Sequence, residues 1–122
     1  MESTKSIGKR GEDAACAHLT GLGWKILRRN YKRKSDELDI IAKTPDETLV
    51  FCEVKTLIKQ GNLIPEDNLT AHKLRKISRT CEFFARRYPE LISEEKGWRI
   101  DLVAVDIGMK GQVEDIRHYE NI

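Results

Sequence analysis

Two short apolar runs carry charge where a buried strand tolerates it least. Leu38-Asp39-Ile40-Ile41-Ala42 holds a carboxylate at its second position, and Leu49-Val50-Phe51-Cys52 runs straight into Glu53-Val54-Lys55. An unpaired buried charge is strongly unfavourable, so residues placed this way are paired or hold a ligand. Side chains alternate along a strand, which puts Glu53 and Lys55 on one face. If residues 43–48 close an antiparallel hairpin with Pro45-Asp46 as its turn, Asp39 arrives opposite or near Glu53 on that face. The pattern predicts an oxygen-rich pocket with an ammonium beside it. Hard carboxylate oxygens suit Mg2+ and a nearby lysine can hold an attacking water, so these residue types fit metal-assisted phosphodiester hydrolysis.

The remaining pattern supplies layers to bury such a hairpin. Residues 6–22 read as a helix with Ala15, Leu19 and Leu22 on its apolar stripe and Gly23 as its stop; Glu12 falls on that same inward stripe. Trp24 to Tyr31 reads as a strand, with Trp24 and Ile26, and Leu27 as a further candidate, facing inward ahead of a basic loop, Lys32-Arg33-Lys34-Ser35. After a loop with Gly61-Asn62 and Pro65, a long helix is predicted at 66–88. Its stripe is Leu74, Ile77, Cys81, Phe84 and Tyr88, and Pro89 ends it. Arg99 to Ile107 and Val113 to Tyr119 complete five strands around a turn at Gly108 to Gly111. The order αβββαββ over 122 residues predicts one α/β domain, a mixed sheet of about five strands between two helices. A helical crossover to a parallel fourth strand is the expected connection.

No apolar run is long enough to span a membrane. Met1 to Lys5 lead into polar sequence without a signal-peptide core, so the cytoplasm is the expected compartment. Cys16, Cys52 and Cys81 are too far apart for a zinc site or disulfide framework and read as buried small hydrophobes. The charge is segregated. Residues 1–34 hold nine Lys/Arg against three Asp/Glu, and 70–88 hold six against one; 35–69 and 89–122 are acidic. Basic elements flanking an acidic centre fit a nucleic-acid partner.

In so charged a chain a Glu-x-Lys tripeptide arises by chance about once, so its value comes from position. It ends an apolar strand, follows an acid-bearing strand across a tight hairpin, and lies downstream of a helix with an inward Glu. With these features the chain resembles the PD-(D/E)xK, or restriction-endonuclease-like, superfamily. More closely, it is similar to the YraN family, related in fold to archaeal Holliday junction resolvases. The resemblance runs from Gly8 to His118 through Gly11-Glu12, Gly23, Asn30-Tyr31, Glu37-Leu38-Asp39, Leu49-Val50-Phe51, Glu53-Val54-Lys55-Thr56, Lys73 and Arg99-Ile100-Asp101. Asp36 stands where the family usually has glycine, and Leu57 where it usually has arginine.

The resemblance implies a three-layer sandwich and an Mg2+- or Mn2+-dependent endonuclease acting on structured or branched DNA, as a homodimer if it resolves junctions. Asp39 and Glu53 would hold the metal with the Val54 carbonyl, Lys55 would orient water, and Glu12 would complete the acidic cluster. Glu37 alternates onto the Asp39 face. Arg10, Lys73, Arg33 and Lys34, with His72, are the candidate nucleic-acid contacts. Two competing readings remain. Asp39 and Glu53 can be structural partners of Lys55, and Glu12 a helix-boundary acid paired with Lys9 or Arg10. Asp101, next to Arg99, is expected to make a structural hydrogen bond. The alternative function is a nucleic-acid-binding module that keeps the nuclease fold without catalysis.

Overall fold

Apolar residues on both faces of the central strands require two covering layers, and the two helices provide them. In the computed structural model, which describes residues 4–58 and 70–122, α1 (Thr4–Gly21) is followed by β1 (Lys25–Arg33), β2 (Asp36–Lys43) and β3 (Leu49–Ile58). Then come α2 (Ala71–Arg87), a single 3-10 turn at Pro89–Leu91, β4 (Trp98–Ile107) and β5 (Val113–Tyr119). The sheet order is β1-β2-β3-β4-β5, antiparallel except for the β3–β4 pair, which is parallel as its helical crossover requires. Predicted positions 66–69 of the second helix, and the loop with Gly61-Asn62 and Pro65, lie outside the described residues.

On one face Ala15 and Leu19 of α1 pack with Ile40, Ala42, Val50, Cys52, Val103 and Val105. On the other, Leu74, Ile77, Cys81 and Phe84 of α2 pack with Tyr31, Leu38, Ile41, Leu49, Phe51 and Ile100. Thr70 starts α2 by accepting a hydrogen bond from Lys73 N, satisfying one of the helix's orphan donors. Gly23, at φ 87°, takes the left-handed conformation that turns the chain out of α1.

Four expectations need correction. Leu22 lies past the end of α1 and is half exposed rather than part of the stripe; Ile7 and Cys16 support the buried face instead. Ile26 and Leu27 do not share one inward face: as adjacent strand residues they point to opposite sides of the sheet, Ile26 joining one core and Leu27 the other. β1 runs on through Lys32 and Arg33, so the basic loop shrinks to a turn at Lys34-Ser35. Glu53 is mid-strand, because β3 stays paired with β4 as far as Ile58↔Ile107.

Candidate active site

The hairpin brings the two acids together, but through an opening in the sheet. The β2–β3 register, Ile40↔Cys52 through Lys43↔Leu49, projects Asp39 onto Glu53, and the backbone ladder stops one step short of that pair. β2 continues beside β1, through Tyr31↔Leu38 to Arg33↔Asp36, while β3 continues beside β4. Asp39 Oδ2 closes the gap by accepting the Val54 N–H at 2.8 Å, a donor the lost ladder leaves without a strand partner. The split gives Asp39 and Glu53 room to meet.

The electrostatics of this corner are those of acids short of a cation. Burial, then the Asp39 charge, push the Glu53 carboxyl up to about 8; Lys55 opposes this only in part. Asp39 is also raised, by burial, against the lowering effect of the Val54 hydrogen bond. The two carboxyls share a hydrogen bond that favours ionised Asp39 and protonated Glu53. Lys55 Nζ stands 3.7 Å from Glu53 Oε1. Glu53 Oε2 is buried and has no hydrogen-bond partner among the described residues. Burial of a carboxylate oxygen in this condition is costly unless a proton or a metal meets it.

Glu12 approaches from α1. Its carboxyl is raised by burial and by the neighbouring Asp39 and Glu37 charges, while Arg29 draws it down. Arg29 stands 3.7 Å from it as an ionic neighbour, while Lys9 pairs with Asp13 and Arg10 donates to the Gly111 carbonyl. Among the described residues no three His, Cys, Asp or Glu side chains form a group that could hold a metal ion. The close pair is Asp39 and Glu53, with Glu12 and Glu37 as charged neighbours.

Glu37 is exposed and stands between two clefts. A broad one, of about 940 Å3, is lined by Gly8, Lys9, Glu12, Arg29, Asn30 and Lys32 as well as Glu37. A narrow one, of about 160 Å3, runs from Glu37 past Glu53 and Lys55 to Lys73 and Lys76 on α2. Lys73 therefore faces the acids. Arg33 stacks its guanidinium 4.0 Å from the Phe83 ring centroid, Lys34 is exposed at the tight turn with φ 57°, and His72 is exposed on the first turn of α2. Asp36 is met by Lys76 at 3.6 Å, so its added charge is offset locally. Lys76 and Asn30 are site neighbours that the sequence reading did not single out as such. Asparagine inside a predicted strand, immediately before Tyr31, was the available signal for Asn30.

Asp101 lies elsewhere. Fully buried on the α1 face, it accepts from Arg99 Nε at 3.0 Å and Asn121 N at 2.9 Å, with His118 Nε2 at 2.8 Å. These contacts make it a structural anchor for the carboxy-terminal end of the fold, in agreement with the sequence expectation. The three cysteines are free thiols, two buried and one half-buried. Among the described residues no helix is long and apolar enough to cross a membrane.

Comparison with known sequences extends the match across the chain. A UPF0102 protein of Desulforamulus reducens is 33% identical over 117 residues, covering 96% of this chain and 94% of the relative. One from Sulfurihydrogenibium sp. is 37% identical over 121 residues, covering 99% and 96%, and one from Prosthecochloris aestuarii 40% over 100 residues, covering 81% and 75%. The model of the uncharacterised protein family UPF0102 matches residues 11–105, which contain Glu12, Asp39, Glu53 and Lys55. With the site inside the matched region, the chain belongs to the UPF0102 (YraN) family.

Proposed function

We propose that this protein is a metal-dependent nuclease that hydrolyses phosphodiester bonds of structured or branched DNA, using Mg2+ or Mn2+. The observation that carries the reading is Glu53: a buried carboxyl pushed up to about 8, beside a second carboxylate, with one oxygen unpartnered among the described residues. The donor set fits a hard cation, because it consists of oxygens with no thiolate or imidazole among them. Asp39 and Glu53 would hold the ion, with the Val54 carbonyl as a further oxygen, and Glu12 and Glu37 would add negative charge around it. When bound, the cation supplies a Lewis acid for the phosphate oxygens.

The chain's own groups do the rest. Lys55, fixed by the strand two residues from Glu53, orients water and offsets charge developing on the phosphate. Lys73 and Lys76 line the narrow cleft, and Lys9, Arg29 and Lys32 the broad one. They place positive charge on both sides of the acids, where a polynucleotide backbone would run. The cations lining both clefts suit phosphate contacts, so backbone and shape are the features this reading has the protein recognise. Symmetric junction cleavage would further require two copies of the chain.

The test is cleavage of junction, flap and single-stranded DNA with Mg2+ or Mn2+, comparing wild type with Asp39→Ala and Lys55→Ala. Activity confined to the wild type supports the reading; equal activity in all three assigns it to a contaminant or another site. The second reading, a nucleic-acid-binding module without catalysis, is favoured by the lack of a three-residue metal group among the described residues and by Leu57 in place of a basic residue. Salt-dependent DNA binding without cleavage at any metal concentration would select it.

A further inference from the structure

Asn30 breaks the regularity of β1 without ending it. Its neighbours Arg29 and Tyr31 pair with Ile40 and Leu38, and the strand continues to Arg33↔Asp36. Yet Asn30 has φ 54°, in the left-handed region. A non-glycine residue enters that region at a cost of roughly 1 kcal/mol or more, and asparagine is among the few that tolerate it. No chain reversal needs the conformation here. Its consequence is where the side chain goes.

In the amide orientation that suits its surroundings, the Asn30 nitrogen is 2.7 Å from Glu37 Oε1 and 3.0 Å from Glu12 Oε1. One neutral group on β1 thus joins a carboxylate from α1 to a carboxylate from β2. Arg29 is also in reach of Glu12, at 3.7 Å, but its short contact is to Asp13, at 2.8 Å. A cation in the place of Asn30 would hold the same carboxylates while cancelling their charge. An amide holds them and leaves the charge intact.

We propose that Asn30 is a positioning residue: its amide gathers Glu12 and Glu37 beside Asp39 and keeps their negative charge available to a divalent cation. This rests on the metal-dependent reading above. Without the amide, two like charges that share one donor separate, Glu12 toward Arg29 and Glu37 toward solvent. The loss acts through the carboxylates, as for other groups that orient a metal's surroundings, where substitutions reduce affinity about 10- to 100-fold.

The discriminating variant is Asn30→Gly, which accepts the same φ and removes the amide together with its Cβ. It is expected to unfold at the wild-type temperature or above, yet to bind Mn2+ about tenfold or more weakly by calorimetry. In a Glu12→Gln/Glu37→Gln background, Asn30→Gly is expected to produce no further loss, as a double-mutant cycle requires if the amide works through those acids. Side-chain 13C resonances of labelled Glu12 and Glu37 in the metal-free protein should both move in Asn30→Gly. Wild-type Mn2+ affinity in Asn30→Gly overturns the inference and leaves the proposed function standing. Absent Mn2+ binding in the wild type, with both carboxyl resonances still moving, removes the metal reading while the amide clamp stands. Unmoved resonances remove the clamp itself.

Discussion

Replacing Glu53 by glutamine is expected to make the metal-free protein more stable, by an amount that grows with pH. Glu53 has an ordinary value of 4.5 and is pushed up to about 8 in the fold. Between these values the unfolded chain has released a proton that the folded chain still holds, so stability falls as pH rises. For this group alone the penalty is less than about 1 kcal/mol at pH 5 and roughly 3 kcal/mol at pH 7. It levels off above pH 8, where both states are ionised. Lys55 favours ionised Glu53 and so already limits this penalty. The assay is urea denaturation of both proteins, without metal, at pH 5, 6, 7 and 8. The gap between them should widen by about 2 kcal/mol from pH 5 to 7, which is roughly 8 °C in melting temperature for a domain of this size. Adding Mn2+ should stabilise the wild type, increasingly so at higher pH, and leave Glu53→Gln unchanged. A gap that stays constant across this range would refute the argument, since it would mean that Glu53 ionises in the fold without penalty.

Three further outcomes follow from the geometry. Lys55→Ala should retain Mn2+ binding, with equal or tighter affinity, while lowering DNA cleavage by about 100-fold or more; parallel loss of both would make Lys55 structural. Gly11→Ala puts a Cβ 1.8 Å from Thr56 Oγ1 and 2.8 Å from its Cβ, where α1 crosses β3. It should destabilise by about 1–3 kcal/mol and weaken Mn2+ binding by displacing adjacent Glu12, with partial recovery in Gly11→Ala/Thr56→Ala, all measured by thermal melts and calorimetry. Asp101→Ala leaves Arg99 and His118 facing a cavity and should cost about 3 kcal/mol or more in urea unfolding, without changing Mn2+ affinity per folded molecule. Burial pushes the Asp101 carboxyl up, but the His118, Arg99 and Asn121 hydrogen bonds together with the Arg99 charge outweigh it and hold the group below its ordinary 3.8. Its contribution is therefore complete above that value and is lost as pH falls through the folded one.

Periodicity made the layers legible because each element buries one continuous stripe: Leu74, Ile77, Cys81 and Phe84 could face only one way. The hairpin register was legible for the same reason, since a slip of one residue would turn Ile40 and Ala42 to the wrong face. What could not be read was where pairing stops. Nothing local to Leu38-Asp39-Ile40 says that β2 leaves β3 at Asp39, because that depends on β1 and β4 pulling the two strands apart. The length of β3 was hidden likewise: Glu53 marks no strand end when a parallel neighbour holds the backbone beyond it. Glu12 was visible as an acid on an apolar stripe, but its partner was not, since Arg29 is near only after β1 packs beside α1.

Charge around the site gives the acidic centre its meaning. Four acids, Glu12, Glu37, Asp39 and Glu53, influence one another electrostatically there. The cations nearest them have other commitments: Arg29 hydrogen-bonds to Asp13 and Lys76 stands beside Asp36. Lys55 pairs with Glu53 through its ammonium, yet the Glu53 carboxyl is still pushed up to about 8. The proton that Glu53 retains near neutrality therefore does the work of a missing positive charge. Such a proton neutralises one carboxyl, whereas a divalent ion can face two or more at once, and the unpartnered Oε2 of Glu53 is where it would gain most. Asp36, also on the narrow cleft, adds little to that imbalance because Lys76 meets it at 3.6 Å. The departure at Leu57 is of another kind: it removes a positive charge from the continuation of the Glu53 strand, so it should weaken polynucleotide affinity while leaving the cation's binding energy unchanged.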